Sequence, residues 1–221
     1  MKHFFVKLWL LLFPPKCVLC RALLAKDETD LCHDCRRDTA EFSHNHIKLP
    51  HLAHWHALWY YEDKVRHSLL RYKFCNCRSY GATYGRLLAM KLHAEEISFD
   101  ILTWVPISAQ RKRVRGYDQV ELFAEALAQE LQVPLTPTLR KIRNTPAQST
   151  MGNVASRRAN VLNAYHCICP EAVAGKRILL LDDVITTGAT AGECARVLLS
   201  AGASRVSCAA IAAANHQSIS R

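Results

Sequence analysis

Nine consecutive residues near the end of the chain carry its densest chemistry: Asp182-Asp183-Val-Ile-Thr186-Thr187-Gly188-Ala189-Thr190. They follow the apolar run Lys176-Arg-Ile-Leu-Leu-Leu181, which reads as a buried strand. A helical pattern over 189–201 comes next, with Cys194, Val197, Leu198 and Ala201 inward and Gly202 as its stop. A strand ending at Leu181 delivers two carboxylates to its open end, so the turn is expected to begin at Asp182. Small and hydroxyl residues then supply backbone N–H groups and Thr hydroxyls ahead of a helix N-terminus, a combination suited to a phosphate. Gly188 lets the backbone approach a ligand closely. Acids beside an anion pocket call for hydroxyls or a metal: those of a ribose, or Mg²⁺ held by a pyrophosphate. The loop is neither a Walker A sequence, which needs G-K-[ST], nor a G-x-G-x-x-G fingerprint.

A second cluster lies near the start. Cys17-Val-Leu-Cys20 and Cys32-His-Asp-Cys35 form C-x2-C-x11-C-x2-C. Each pair suits a tight turn with both thiolates aimed at one point, and two such turns complete a tetrahedron around Zn²⁺. Two disulfides are the alternative. A four-thiolate set leaves no open position, so a zinc here is structural. The polar segment 26–30 between the pairs suits a hairpin tip. Four of ten cysteines in metal spacing, in a chain long enough for a real core, fit a reducing cytoplasm better than a disulfide framework. The C-x-C pairs Cys75/Cys77 and Cys167/Cys169 read as structural or incidental. His44, His46, His51, His54 and His56 read as surface or packing residues with no partner carboxylate motif, His54 and His56 sharing a strand face.

Basic residues gather in two further places. Arg111, Lys112, Arg113 and Arg115 precede Gly116, just past the apolar strand Asp100–Val105 that Pro106 stops. Arginine forks suit phosphate oxygens, so Arg111, Arg113 and Arg115 are assigned to a pyrophosphate or a nucleic-acid backbone, with Gly116 allowing a tight turn. Arg140, Lys141 and Arg143 could form a mobile loop closing over the site. The whole chain of 221 residues carries a formal charge of +10, which favours phosphate-bearing partners without choosing among them. Only Tyr117 and Phe123 are aromatic within 106–160, a weak argument against base-stacking recognition of single-stranded DNA.

The elements that must position these groups follow from periodicity. Ala57–Tyr61 reads as a strand, 63–73 and 79–95 as helices, the second broken or begun near Gly81/Gly85. Val120, Phe123, Leu127 and Leu131 stripe a helix over 118–131, and 205–214 is a last apolar strand. Strands alternating with helices mean βαβ units, a mostly parallel sheet flanked by helices, and ligands at the strands' carboxyl ends. Residues 36–50 read as a linker between a zinc-ribbon-like module over 1–40, including an N-terminal helix, and an α/β domain over 52–215. The first fifteen residues are apolar, but Lys7 interrupts the run and no A-x-A site follows. They read as a short helix packing Phe4, Leu8, Leu11 and Leu12 on the body rather than a secretory signal. No apolar run is long enough to span a bilayer.

Ile178-Leu-Leu-Leu-Asp-Asp-Val-Ile-Thr-Thr-Gly-Ala-Thr190 resembles the 5-phosphoribosyl-1-pyrophosphate (PRPP) motif of type I phosphoribosyltransferases. The resemblance implies that Asp182 and Asp183 meet the ribose hydroxyls, that Thr186, Thr187, Gly188, Ala189 and Thr190 hold the 5-phosphate, and that Mg²⁺ accompanies PRPP. Together with the four-Cys module, the Arg111-Lys-Arg-Val-Arg115-Gly116-Tyr117-Asp118-Gln119 segment and the Leu139–Gln148 stretch continuing to Arg157 and Asn160, it makes nearly the whole chain similar to the ComF/GntX family. Leu70-Arg-Tyr-Lys-Phe-Cys75 matches that family loosely. The family implies a link to natural competence and to use of external DNA. Two readings result: a phosphoribosyltransferase with an unidentified acceptor, or a non-catalytic accessory protein whose basic face binds single-stranded DNA or a helicase partner.

Overall fold

A computed structural model of the chain describes residues 13–43, 47–143 and 159–215; the apolar segment holding Phe4, Leu8, Leu11 and Leu12, and Arg157, lie outside them. The elements are α1 (His33–Asp38), β1 (Trp55–Tyr60), α2 (Asp63–Phe74), α3 (Tyr80–Ala94), β2 (Ile101–Trp104), α4 (Ala109–Arg115), α5 (Gln119–Leu131), β3 (Leu139–Lys141), β4 (Tyr165–Cys167), α6 (Pro170–Val173), β5 (Arg177–Ile185), α7 (Ala189–Ser200) and β6 (Arg205–Ala213). Four strands form an all-parallel sheet in the order β1-β6-β5-β2. β5 and β6 are central, and helices cover both of their faces, so their sequences are continuous apolar runs rather than alternating ones. Strands β3 and β4 pair antiparallel in a separate ribbon.

Two layers of core enclose the sheet. Leu179 and Leu181 of β5 pack with Leu69 and Tyr72 of α2, Leu88 of α3 and Phe123 and Leu127 of α5. On the opposite face Ile178 and Leu180 pack with Cys194 and Leu198 of α7 and with Tyr165 of the ribbon. α3 starts at Tyr80, beside Gly81 as expected, and runs unbroken through Gly85. Those glycines serve close packing: a Cβ on Gly85 would lie 2.6 Å from the Ala126 Cβ and 2.8 Å from the Leu127 amide nitrogen of α5.

Other expectations are corrected. β5 does not end at Leu181; it stays paired with β6 through Asp182↔Ala210, Val184↔Ala212 and Ile185↔Ala213, so both acids stand on the strand itself. The 36–50 linker is partly core: the Phe42 amide bonds the Leu58 carbonyl at 2.9 Å, and Phe42 and Leu49 are buried. The zinc-module residues Val18 and Leu19 share a core with α2 and α3. His56 is buried with a carboxylate partner after all, its Nδ1 meeting Glu95 Oε2 at 2.5 Å. Among the described residues, no helix is long and apolar enough to cross a membrane.

Gly85→Leu should therefore destabilise the chain by about 1–3 kcal/mol, since overpacking forces one of two helices to move. Thermal denaturation checks it: a fall in Tm of roughly 2–10 °C is expected. Met90→Ala, on the exposed side of the same helix, should stay within about 0.5 kcal/mol of wild type.

Candidate functional site

A cavity of about 820 Å³ opens at the carboxyl ends of β2 and β5. Successive side chains of a strand point to opposite faces, and this alternation separates the two acids. Asp183 continues the Leu179/Leu181 face and meets α2 and α5: Lys73 Nζ lies 2.9 Å from its Oδ1, and Gln119 Nε2 donates to its Oδ2 at 2.7 Å. Asp182 continues the Ile178/Leu180 face, towards α7 and the ribbon, and its Oδ1 accepts the Asp183 amide at 2.8 Å. Burial pushes the Asp182 carboxyl up to about 8, and the neighbouring Asp183 charge adds to the rise. Burial acts on Asp183 in the same sense, but Lys73, Gln119 and Arg115 outweigh it and hold that carboxyl below its ordinary value. The two carboxyls are thus driven apart, Asp182 towards its protonated form and Asp183 towards its charged one.

Beyond Ile185 the chain turns through Thr186–Gly188 into α7. Gly188 has φ +70°, and a Cβ there would lie 2.6 Å from a Leu49 methyl. The turn thus needs glycine for its left-handed backbone and for Leu49 beneath it. Thr186 and Thr190 line the main cavity; Gly188, Ala189 and Thr190 bound a narrow cleft beside it, which Asp182 and Val184 share. Thr187 lines neither, and its hydroxyl accepts the Ala189 amide at 3.4 Å. The Ala189 amide at the start of α7 is thus taken up by Thr187, while the helix N-terminus still presents the positive end of its dipole to the cleft.

The basic segment is a helix, α4, capped by the Ser108 hydroxyl accepting the Arg111 amide and ended by Gly116 at φ +77°. Arg111 and Arg115 line the cavity. Arg115 lies 4.9 Å over the Phe74 ring and donates to Gln119 Oε1 at 2.6 Å; burial lowers its pKa. Arg113 is exposed and outside the cavity, and Lys112 is paired with Glu121 at 2.6 Å. Arg140 and Lys141 belong to strand β3 rather than a loop. Lys141 faces the cavity 5.2 Å from the Tyr165 ring, and burial and then Arg111 lower its pKa. Arg140 is exposed, and Arg143 donates to the Asn160 and Leu162 carbonyls.

Sequence reasoning missed Lys73, Gln119 and Arg66 as cavity residues. The first two lay inside segments quoted for the family resemblance but carried no spacing that tied them to Asp183. Asp118 serves the site from behind. Its Oδ1 accepts the Val120 amide at 2.9 Å as the α5 cap, and its Oδ2 accepts the Ile107 amide at 3.0 Å, pinning the cavity wall after β2.

The four zinc-spaced cysteines converge, their Sγ atoms all within 4.8 Å of one another. Burial disfavours the Cys17 thiolate, yet the Cys20, Cys32 and Leu19 amides bring its pKa down to about 7; burial and neighbouring sulfurs raise Cys35. That set fits a tetrahedral structural Zn²⁺, which relieves the crowding of thiols by ionising them. His33 stands aside, its Nε2 3.1 Å from Asp27 Oδ2. Mg²⁺ fares differently. Asp183 has both oxygens engaged by nitrogen donors and Asp182 has one turned onto the Asp183 amide, while the remaining charged side chains lining the cavity are basic. The protein's own donors do not fit that ion.

Comparison with known proteins matches residues 121–220 to the phosphoribosyl transferase domain and residues 8–46 to the double zinc ribbon domain. The chain is 26% identical to competence protein F of Haemophilus influenzae over 86% of its length and 93% of the relative's. It is also 26% identical to the DNA utilization protein YhgH of Escherichia coli, over 89% of this chain and 96% of that one. A glutamine PRPP amidotransferase structure from B. subtilis is similar over 64% of this chain and only 30% of its own, at 22% identity and a TM-score of 0.44. The resemblance to the ComF/GntX family, the phosphoribosyltransferase-type α/β fold and the N-terminal zinc ribbon stand on the two domain matches and the two relatives.

Two measurements test the site's electrostatics and its metal. The native chain keeps a proton on Asp182 that an unfolded carboxyl loses near 3.8. This contribution to stability is complete below that value and is lost as pH rises to about 8. Asp182→Asn should hence be more stable than wild type by a margin growing from pH 4 to 8, reaching the order of a few kcal/mol. Asp183→Asn should instead destabilise by about 3–5 kcal/mol, because it strands the Lys73 ammonium. Denaturant melts across pH decide; the same sign for both variants would refute the split. For the cysteine cluster, metal analysis of reduced protein should return about one zinc per chain, and Cys17→Ala should abolish it.

Proposed function

We propose that this chain, kin to the competence F and DNA utilization proteins, binds PRPP or a closely similar phosphorylated sugar at the carboxyl end of β5. One observation carries the reading: an acid pair set on opposite faces of a buried strand opens onto a cavity whose Arg66, Lys73, Arg111, Arg115 and Lys141 side chains converge from three separate elements, α2, α4 and β3. In this reading the Thr186–Thr190 turn receives the 5-phosphate, Asp182 and Asp183 meet the ribose hydroxyls, and the arginines with Lys141 receive the diphosphate. A neutral carboxyl at Asp182 donates a hydrogen bond as well as accepting one, and a charged carboxylate at Asp183 accepts two; a sugar diol can use both.

The chemistry such binding permits is pentosyl transfer. The bond from C1 to the pyrophosphate oxygen breaks with its electron pair leaving on the pyrophosphate. An acceptor's lone pair forms the new bond to C1, and the acceptor's proton passes to solvent. Fixed cations already aimed at the departing oxygens stabilise the charge that develops there. No side chain acts as a covalent nucleophile. The relatives are named for competence and for DNA utilization, and we take that as the process this binding serves, inside the cytoplasm.

DNA binding by the basic face is the second reading, favoured by those names. It draws less support from the side chains: Arg111 and Arg115 turn into the cavity and Lys112 is paired, leaving Arg113 as the outward cation of that helix.

Calorimetric titration with PRPP tests the first reading. Wild type should bind, and Arg111→Ala should bind at least about tenfold more weakly, the loss of one charge-assisted contact. Absence of heat with wild type would overturn it. Salt-sensitive binding of a single-stranded oligonucleotide, unaffected by saturating PRPP, would point to the second reading instead.

A further inference from the structure

Protein sites for Mg²⁺ offer it one or two carboxylate oxygens and leave the rest to water and ligand phosphates. On the floor of this cavity three of the four carboxylate oxygens of the acid pair are already held by nitrogen donors. Asp183 has Lys73 Nζ on one oxygen at 2.9 Å and Gln119 Nε2 on the other at 2.7 Å. Asp182 turns one oxygen back onto the Asp183 amide at 2.8 Å. An ion reaching Asp183 would have to displace the lysine, and one held by the remaining Asp182 oxygen would share the cavity with Arg111, Arg115 and Lys141.

The lysine is also held where a cation would be wanted. It lies in the last turn of α2 with its side chain 16% exposed. The two residues before it are fixed: Arg71 Nη2 donates to the Leu19 carbonyl at 2.6 Å, and the Tyr72 hydroxyl donates to the Gln119 carbonyl. A largely desolvated ammonium anchored in this way interacts strongly with an anion and needs little reorganisation when one arrives.

We infer that Lys73 takes the part of a divalent cation, so that this cavity holds a sugar diphosphate through side-chain cations without Mg²⁺. The inference rests on the sugar-phosphate reading above. It also explains an otherwise wasteful arrangement, a buried ion pair at the ligand end of the sheet: Lys73 keeps Asp183 ionised in the free protein and then shares its protons between that carboxylate and an incoming phosphoryl oxygen. Buried pairs of this kind contribute little to stability by themselves.

The experiment is calorimetry with PRPP on the full chain, zinc retained, in two buffers: one with excess Mg²⁺ and one with Mg²⁺ removed on a chelating resin. Wild type is expected to bind in both, with dissociation constants within about threefold of each other, a difference of under about 0.7 kcal/mol. Lys73→Gln should lose about tenfold or more in the metal-free buffer and recover part of it with Mg²⁺, whereas Lys73→Arg should bind in both. Binding by wild type only with Mg²⁺ would overturn the inference while leaving the sugar-phosphate reading intact. Binding in neither buffer would overturn that reading itself. Lys73→Gln binding as wild type does in the metal-free buffer would remove the lysine from the role. If Lys73→Gln fails to fold, as judged by near-ultraviolet circular dichroism, the wild-type pair of titrations decides alone.

Discussion

An ammonium and a carboxylate 2.9 Å apart at the end of β5 govern the arrangement around them. Two adjacent acids on a central strand cannot both ionise in so enclosed a place without help. The structure resolves the conflict by alternation: Asp183 is turned to α2 and α5, where Lys73 and Gln119 satisfy it, and Asp182 is turned to the other face, where burial favours its protonated form. The result is a pair of carboxyl groups with different hydrogen-bonding roles in one cavity. Arginines and Lys141 then surround this pair from α4 and from the ribbon.

Helix α2 joins that pair to the zinc ribbon. Ser68 Oγ and Arg71 bond the Val18 carbonyl, and Arg71 also bonds that of Leu19, so the backbone between the first two cysteines rests on the helix that carries Lys73. Val18 and Leu19 themselves are about 1% exposed, which makes the ribbon's tip part of the main core. A ribbon held by Zn²⁺ therefore supports the helix that carries Lys73.

Much of this was legible in the residues. Apolar runs placed every strand of the main sheet, the Val120/Phe123/Leu127 stripe placed α5, and cysteine spacing placed the thiol cluster. The acid pair and the glycine turn announced where the cavity would open. What escaped has physical reasons. Aspartate is a poor strand former, so the run seemed to stop at Leu181, yet pairing with Ala210 and Ala212 of β6 carries it on to Ile185. Three-residue strands such as β3 and β4 leave no periodicity to read. Lys73 and Asp183 stand far apart in the chain, and only the packing of α2 on the sheet brings them together. Leu49, read as linker, lies under Gly188 because the chain doubles back over α7.

The central claim is that the Thr186–Thr190 turn and the acid pair before it form one sugar-phosphate cradle. Amide chemical-shift mapping of ¹⁵N-labelled protein with ribose 5-phosphate tests it most directly. The account predicts the largest perturbations at the backbone amides from Asp183 to Ala191, with side-chain shifts at Gln119. Perturbations centred on the exposed Arg113 face of α4, or none at ligand saturation of a phosphate-binding site, would contradict it.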